Sequence, residues 1–230
     1  MRRTTIWIAT LLLLLTSAGL PARASEEAVI IPPPALDNPK APGALQTAVL
    51  AAGCFWGVQG VYQHVRGVRS AVSGYSGGKK ADALYDVVSR GDTGHAESVE
   101  VRFDPSEVSY GEILQIYFSV THDPTQLNRQ GPDVGTQYRS NIFYADDAQK
   151  RIAQAYIAQL DRAKAYPRAI VTRVDALDAF YPAEAYHQDF LIENPRYPYI
   201  VFNDLPKIES LKRVFPTRYR DQPVTVKGSK

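Results

Sequence analysis

The cysteine of this chain stands in a setting that suits a reactive thiol. It is Cys54, the single cysteine among 230 residues, and it lies in the run Gly53-Cys54-Phe55-Trp56-Gly57. The two glycines leave the sulfur approachable, and the two aromatic side chains supply an apolar wall. A thiolate in such a place can act as a nucleophile. A free cysteine is also often a small buried hydrophobe, and composition alone does not separate the two uses.

The residues on either side of Cys54 predict that it lies at the start of a helix. An apolar run at 49–52 ends just before it and indicates a strand. After it, apolar residues recur at the spacing of an amphipathic helix, namely Val58, Val61, Tyr62 and Val65. Free backbone N–H groups and the positive end of a helix dipole favour a thiolate at this position. We therefore expect the pKa of Cys54 to be depressed.

Glu97 is the candidate acid. It precedes a stretch in which Val99, Val101 and Phe103 alternate with polar residues, which is typical of a half-buried strand. If Glu97 is buried beside the aromatic wall, its pKa should rise, so that it can protonate an oxygen departing from a sulfur atom near neutral pH. The residues alone favour the alternative, a solvated carboxylate at the end of a strand.

The remaining patterns predict an α+β fold. Ser109 and Glu112 form a capping box for a helix that runs to about Val120, and Asp146 caps another that runs to about Lys164. Further strands are expected at 68–75, 98–103, 140–144 and 169–174. The order of elements over 47–144 predicts a ferredoxin-like split βαβ two-layer sandwich with C-terminal extensions, in which helices cover one face of a mixed sheet. The stretch 180–220 is expected to be an irregular strap.

The N-terminus carries the pattern of a secretory signal peptide. Two arginines at 2–3 precede an apolar core at 6–15 and the small-residue motif Ala22-Arg23-Ala24. We expect cleavage after Ala24 and an exported protein, periplasmic or secreted, with no stable membrane association after cleavage. The alternative is an uncleaved anchor, although the core is shorter than the ~20 residues that span a bilayer.

The rest of the chain is expected to hold a single catalytic domain at 46–220. A Pro-rich linker or extended arm at 25–45 precedes it, and a disordered tail at 221–230 follows it. The 26 basic and 24 acidic residues are interspersed and give a formal net charge of +2. No nucleic-acid partner is expected from such a distribution. We expect the protein to act as a monomer.

Several motifs resemble those of the A-type peptide methionine sulfoxide reductase family. Gly-Cys-Phe-Trp-Gly at 53–57 is similar to its nucleophile motif, and Gly-Asp-Thr-Gly-His-Ala-Glu at 91–97 is similar to its second motif. Further segments resemble the family at 123–126 (Asp-Pro-Thr-Gln), 129–140 and 185–188 (Ala-Tyr-His-Gln). The matches follow the family's order and extend over most of residues 46–216.

The resemblance implies a reductase that converts methionine S-sulfoxide, free or in peptides and proteins, to methionine. Cys54 would attack the sulfoxide sulfur and become a sulfenic acid, while Glu97 would protonate the oxygen. No cofactor is implied.

Other family positions are matched as well. Asp133, Tyr138 and Tyr85 correspond to active-site residues of the family, and the two tyrosines are expected to hydrogen-bond the sulfoxide oxygen. Phe55 and Trp56 would bind the substrate by holding its methyl group.

One departure from the family affects how the enzyme is regenerated. Many members carry one or more resolving cysteines after an Asn-Pro pair near the C-terminus. Here Asn194-Pro195 is followed by Arg-Tyr-Pro-Tyr-Ile at 196–200, so no internal disulfide can form. Cys54 must then be regenerated by an external thiol, either a thioredoxin-like protein or a small-thiol reductant.

Other functions remain open on the residues alone. His95, Glu97, His122 and His187 lack the close spacing of metal ligands, so no metal site is expected. His95-Ala96-Glu97 mimics the His-x-Glu of zinc deaminases, but the Pro-Cys-x-x-Cys partner is absent. The rivals are another one-cysteine thiol enzyme, such as a peroxidase, and a non-enzymatic exported binding domain with an inert thiol.

Overall fold

The structure is a computed structural model that describes residues 27–227. The strands are β1 (Gln46–Ala52), β2 (Val68–Ser76), β3 (Ala96–Phe103), β4 (Arg129–Gln130), β5 (Asp133–Val134), β6 (Ser140–Tyr144), β7 (Arg173–Ala176) and β8 (Phe180–Pro182). The α-helices are α1 (Phe55–Gln63), α2 (Tyr85–Val88), α3 (Tyr110–Ile116), α4 (Asp147–Arg162), α5 (Phe190–Glu193) and α6 (Leu205–Val214). Two π-helical turns, Tyr117–Thr121 and Ile200–Asp204, extend α3 and precede α6.

Six of the strands form one mixed sheet. Its order is β7-β6-β1-β3-β2-β8, while β4 and β5 make a separate hairpin. The neighbours in the large sheet are antiparallel, except that β6 and β7 are parallel. A mixed sheet with helices packed on it confirms the predicted α+β class.

The two faces of β1 are buried differently. Ala48, Leu50 and Ala52 belong to the main core, which also contains the apolar sides of α1, α3 and α4. Val49 and Ala51 point to the opposite face, where they join a smaller cluster. Successive side chains of a strand alternate between faces, so these two clusters cover both faces of β1. The strand is therefore held from both sides, and it ends just before Cys54.

The predicted helix caps are present. Ser109 Oγ accepts a hydrogen bond from the N–H of Glu112 at 3.1 Å, and the Glu112 carboxylate accepts one from the N–H of Ser109 at 2.9 Å. Asp146 accepts a hydrogen bond from the N–H of Gln149 at 2.8 Å. These bonds satisfy backbone donors that the first turn of a helix leaves free.

The stretch expected as a Pro-rich linker or arm is extended and packed on the helices over its described part, 27–45. Ile31 is buried, Tyr156 Oη donates to the carbonyl of Pro32 at 2.7 Å, and Gln159 Nε2 donates to that of Pro33 at 2.9 Å. Asp37 accepts from the N–H of Gly111 at 2.8 Å. The arm therefore covers α3 and α4.

The C-terminal part differs from the sequence prediction in two places. The strand expected at 169–174 lies at Arg173–Ala176, because the N–H of Val171 donates to the carbonyl of Pro124 at 2.8 Å and draws the chain away from β6. The strap over 180–220 contains α5 and α6. In α6 the buried residues Ile208 and Leu211 lie three apart, which gives the helix one apolar side.

The described part of the C-terminal tail, 221–227, contacts the domain. The N–H groups of Val226 and Lys227 each donate to the Asp189 carboxylate at 3.0 Å, and the N–H of Val224 donates to the carbonyl of Gln63 at 3.0 Å. Asp189 is 1% exposed and therefore binds the tail from inside the fold.

The predicted export signal, 1–24, lies outside the residues that the structure describes. Within 27–227, no helix has the length and apolar character needed to cross a membrane.

Candidate active site

Cys54 occupies the N-cap position of α1, as predicted. The chain leaves β1 at Ala52 and turns at Gly53, whose φ of 85° is left-handed. A side chain at Gly53 would also lie 2.7 Å from Cγ of Gln130. Glycine is therefore needed here for both its backbone conformation and the close approach of β4. The turn places the sulfur directly before the first turn of the helix.

The pKa of Cys54 is raised well above its usual value, so the prediction of a depressed pKa is wrong. Burial raises it most, because only 8% of the residue is exposed, and the carboxyl groups of Glu97, Asp204 and Asp133 raise it further. The backbone N–H of Trp56, in the first turn of α1, lowers the pKa of Cys54, which is the expected effect of the helix start. That effect is outweighed, and the resting group is a neutral thiol.

Glu97 lies inside the site and not in solvent. It is the second residue of β3, pairs with Tyr75 of β2, and is 3% exposed. Its Oε2 accepts a hydrogen bond from the N–H of Phe55 at 3.0 Å. Burial raises the pKa of Glu97 to about 8, against the lowering effect of that hydrogen bond, and the charges of Asp133 and Asp204 raise it too. The carboxyl is therefore largely protonated near neutral pH.

The other matched positions interact with Cys54 or Glu97 through their charges. Burial and the charges of Glu97 and Cys54 raise the pKa of Tyr85, and the same groups together with Asp133 raise that of Tyr138. Burial also raises the pKa of Asp133, although a hydrogen bond from Tyr199 Oη to its Oδ2 lowers it. Two tyrosines and two carboxyl groups are thus close enough to the thiol for their charges to interact with it.

The aromatic wall is built around Trp56. Its ring stacks on Phe190 with centroids 3.9 Å apart, and its Nε1 donates to Nδ1 of His187 at 3.1 Å. Phe55 is 1% exposed and packs against His187, with the centroids of the two rings 5.0 Å apart. Of the two predicted substrate-binding residues, Trp56 is half-buried and Phe55 is fully buried.

His187 is an aromatic partner in this wall. Its Nδ1 accepts from Trp56, and burial lowers its pKa, so the ring is neutral with its proton on Nε2. His95 and His122 bond instead to the carbonyls of Lys79 and Tyr117. Over residues 27–227, no three His, Cys, Asp or Glu side chains are grouped so that they could hold a metal ion.

Arg139 links the segment that carries Glu97 to the segment that carries Tyr138. It is 7% exposed, and its guanidinium donates to the carbonyls of Gly94 at 2.8 Å, His95 at 3.0 Å and Thr136 at 2.8 Å. These carbonyls lie two or three residues before Glu97 and Tyr138 in the chain.

Sequence reasoning gave no role to three residues near the thiol, of which Asp204 and Lys207 are buried and Tyr199 is half-buried. Tyr199 donates to Asp133, while Asp204 and Lys207 lie against the first turn of α1. The signal that could have located them is Asp204-Leu205-Pro206, an Asp followed by Pro in the first turn of a helix. It would have predicted α6, though not its contact with Cys54's helix.

The geometry brings together a nucleophile and a proton donor. Cys54 lies at a helix start, the next residue is hydrogen-bonded to a buried, protonatable carboxyl, and two tyrosines interact with the thiol through their charges. Such a set can transfer an oxygen atom from a substrate to the thiol while a proton is supplied to that oxygen.

Comparisons with known proteins agree with this chemistry. A family model described as "Peptide methionine sulfoxide reductase" matches residues 46–219. The chain is 63% identical over 191 residues to "Peptide methionine sulfoxide reductase MsrA 2" of Mesorhizobium japonicum, covering 83% of this chain and 97% of that protein. It is 52% identical over 196 residues to the protein of the same name from Synechocystis sp., covering 84% and 92%.

Solved structures also match. Methionine sulfoxide reductase A of Corynebacterium diphtheriae aligns with a TM-score of 0.58 and 31% identity, over 78% of this chain and 95% of that one. Reduced Mxr1 from Saccharomyces cerevisiae aligns with a TM-score of 0.60 and 31% identity, over 71% and 92%. The motif resemblance is thereby confirmed, and the chain belongs to the peptide methionine sulfoxide reductase family as an A-type member, a peptide-methionine (S)-S-oxide reductase.

Proposed function

We propose that Cys54 is the nucleophile of this reductase and that Glu97 is its proton donor. The observation that carries the proposal is the placement of both groups at one point, with Phe55, the neighbour of Cys54, hydrogen-bonded to Glu97 at 3.0 Å. Cys54 attacks the sulfoxide sulfur, and the S–O bond breaks as the oxygen moves to the cysteine. Methionine sulfur gains two electrons, and Cys54 loses two and becomes a sulfenic acid.

Protons balance within the site. Glu97 gives its proton to the sulfoxide oxygen as negative charge develops there, and the thiol proton of Cys54 replaces it on the carboxylate. This exchange suits a neutral thiol beside a carboxyl whose pKa is raised to about 8, because both groups hold a proton at rest. Tyr85 and Tyr138 donate to the same oxygen, and Asp133, held by Tyr199, positions the polar end of the substrate.

Trp56 supplies the apolar surface for the substrate's methyl group. Its stacking on Phe190 and its hydrogen bond to His187 fix the indole, and Phe55 packs against the His187 ring from the core. An immobilised apolar surface next to a hydrogen-bonding set selects a group with one apolar and one polar end.

Regeneration requires an external thiol. With Cys54 as the single cysteine, a first external thiol attacks the sulfenic acid, releasing water and forming a mixed disulfide. A second thiol then displaces Cys54. We propose a thioredoxin-like protein or a small thiol as the donor.

The signal-like N-terminus supports export to a periplasmic or extracellular compartment, where the mature protein acts as a monomer with no nucleic-acid partner.

The order β6-β1-β3-β2 with antiparallel pairing supports assignment of the central strands, α1 and α3 to a ferredoxin-like split βαβ core.

A single-turnover experiment tests the mechanism. Reduced protein freed of small thiols is mixed with a peptide that contains methionine S-sulfoxide, and the methionine formed is counted per protein. We expect one equivalent for the wild type and none for Cys54→Ser. Turnover by Cys54→Ser would overturn the proposal, and much faster reaction with hydrogen peroxide than with the sulfoxide would favour a peroxidase.

Mass spectrometry of the same samples tests regeneration. After one turnover, one equivalent of a small thiol should give an adduct on Cys54, which excess thiol removes. Return of the free thiol without any added reductant would contradict the scheme.

A further inference from the structure

A buried ion pair lies at the junction between the second π-helical turn and α6. Lys207 Nζ is 3.4 Å from Asp204 Oδ1, and the two side chains are 8% and 0% exposed. Asp204 is the N-cap residue of α6, and Lys207 follows one turn later. Burying two charges costs free energy, and an apolar pair of similar size would often be at least as stable. Packing alone therefore does not explain why two charged residues are buried here.

The pair lies against the first turn of the helix that Cys54 caps. A Cβ added at Gly57 would collide with Asp204 Oδ1 and would lie 2.7 Å from its Cγ and 3.2 Å from Lys207 Nζ. Gly57 is three residues after Cys54, so only a glycine admits the pair here. The carboxylate and the ammonium thus lie at the positive end of α1, where charge acts most strongly on the capping residue.

When the Cys54 thiol gives up its proton before or during attack, its sulfur gains negative charge in a site that already contains carboxyl groups. We propose, building on the nucleophilic role assigned above, that Lys207 is a positioning residue that holds the Asp204 carboxylate as an ion pair against α1, so that the Cys54 sulfur can carry negative charge. Asp204 acts on the thiol directly through its charge, and Lys207 acts by neutralising Asp204.

The electrostatics of the surrounding groups support this arrangement. After burial, the charges of Glu97 and Asp204 raise the pKa of Cys54, and Asp204 also raises those of Glu97 and Tyr199. Lys207 lowers the pKa of Asp133. The titratable groups whose charges act on Cys54 are Glu97 on β3, Asp133 on β5 and Asp204 in the π-helical turn. Those that respond to the charge of Cys54 are Tyr85 on α2, Tyr138 before β6 and Tyr199 beside the turn. Lys207 on α6 pairs with Asp204.

Alkylation of the single cysteine by iodoacetamide, followed from pH 6 to pH 11, tests the proposal. We expect Asp204→Asn to shift the midpoint of the rate profile down by about one pH unit and Lys207→Gln to shift it up by about one, as nearby charges do in a partly buried site. The double variant Asp204→Asn/Lys207→Gln should have a midpoint near that of the wild type. Lys207→Arg keeps the positive charge and should also have the wild-type midpoint.

Opposite shifts distinguish an electrostatic role from a structural one, since loosening of α6 would move both variants in the same direction. Lys40→Gln, which removes an exposed ion pair with Glu112, is the matched control and should leave the profile unchanged. Equal or same-direction shifts, or an unmoved midpoint in folded Asp204→Asn, would overturn the proposal. If Lys207→Gln does not fold, Asp204→Asn and Lys207→Arg still decide it. Because alkylation needs no sulfoxide, its outcome is independent of whether Cys54 performs the reduction.

Discussion

The backbone N–H of Phe55 donates a hydrogen bond to Oε2 of Glu97 at 3.0 Å, and so joins the residue after Cys54 to a buried carboxyl group. The bond ties the first turn of α1 to the beginning of β3. A hydrogen bond to a carboxylate favours its charged form, yet burial raises the pKa of Glu97 to about 8. The acid is therefore fixed in position while it keeps its proton.

Removal of that proton should disable the reduction step. Glu97→Gln preserves the size of the side chain and its acceptor for Phe55, but an amide cannot transfer a proton as an acid does. We expect the single-turnover rate to fall by about 100- to 10,000-fold. Glu100→Gln, on the same strand but with its side chain on the other face, should react at the normal rate. A rate for Glu97→Gln within threefold of the wild type at pH 6 would rule out the assigned role.

The same residue should make the protein less stable as pH rises. In the unfolded chain Glu97 ionises near 4.5, whereas in the folded protein it keeps its proton up to about pH 8. Between these values the folded state binds the extra proton, so the free energy of unfolding falls by up to about 1.4 kcal/mol per pH unit through this group. Urea unfolding of the wild type and of Glu97→Gln at pH 5 and pH 8 measures this change in the free energy of unfolding. The advantage of the mutant should grow with pH, and a constant difference would contradict the prediction.

The local parts of the site could be predicted from the sequence, but its charge balance could not. An apolar run, a glycine and a helical pattern placed Cys54 at the N-cap of α1. The pKa of Cys54 has the opposite shift because burial and three carboxyl groups outweigh the helix start. Those groups come from β3, β5 and the turn before α6, far apart in the chain. Periodicity and capping signals describe neighbours in sequence and carry no information on such distant approaches.

Arg139 should be needed for the reduction although it does not touch the sulfur. Its guanidinium binds three carbonyls next to Glu97 and Tyr138, and a lysine cannot span them with one ammonium group. We expect Arg139→Lys to lower the single-turnover rate by about 10- to 100-fold, because small displacements of catalytic groups have such effects. Alkylation of Cys54 should be unchanged, since α1 keeps its contacts. Loss of alkylation in parallel with reduction would instead indicate general unfolding. Arg173→Lys, at an exposed ion pair with Asp175, is the control.

Asp189 should contribute to stability through three donors. Its carboxylate accepts from Gln63 Nε2 at 2.6 Å and from the N–H groups of Val226 and Lys227 at 3.0 Å, and it is 1% exposed. Its φ of 60° is left-handed, a conformation that Asn tolerates and Ala does not. Asp189→Ala should therefore lower the free energy of unfolding by about 3 kcal/mol or more, since buried donors lose their partner and the backbone is strained. Asp189→Asn should lower the free energy of unfolding by about half as much as Asp189→Ala.

Deletion of residues 221–230 separates the two contributions of Asp189. It removes the backbone donors of Val226 and Lys227 but leaves Gln63 and the left-handed turn intact. Urea unfolding at pH 7 should show a smaller loss for the deletion than for Asp189→Ala, and Asp189→Ala should be less damaging in the shortened chain than in the full one. Equal losses from Asp189→Ala in both chains would show that the tail is not stabilised through this carboxylate.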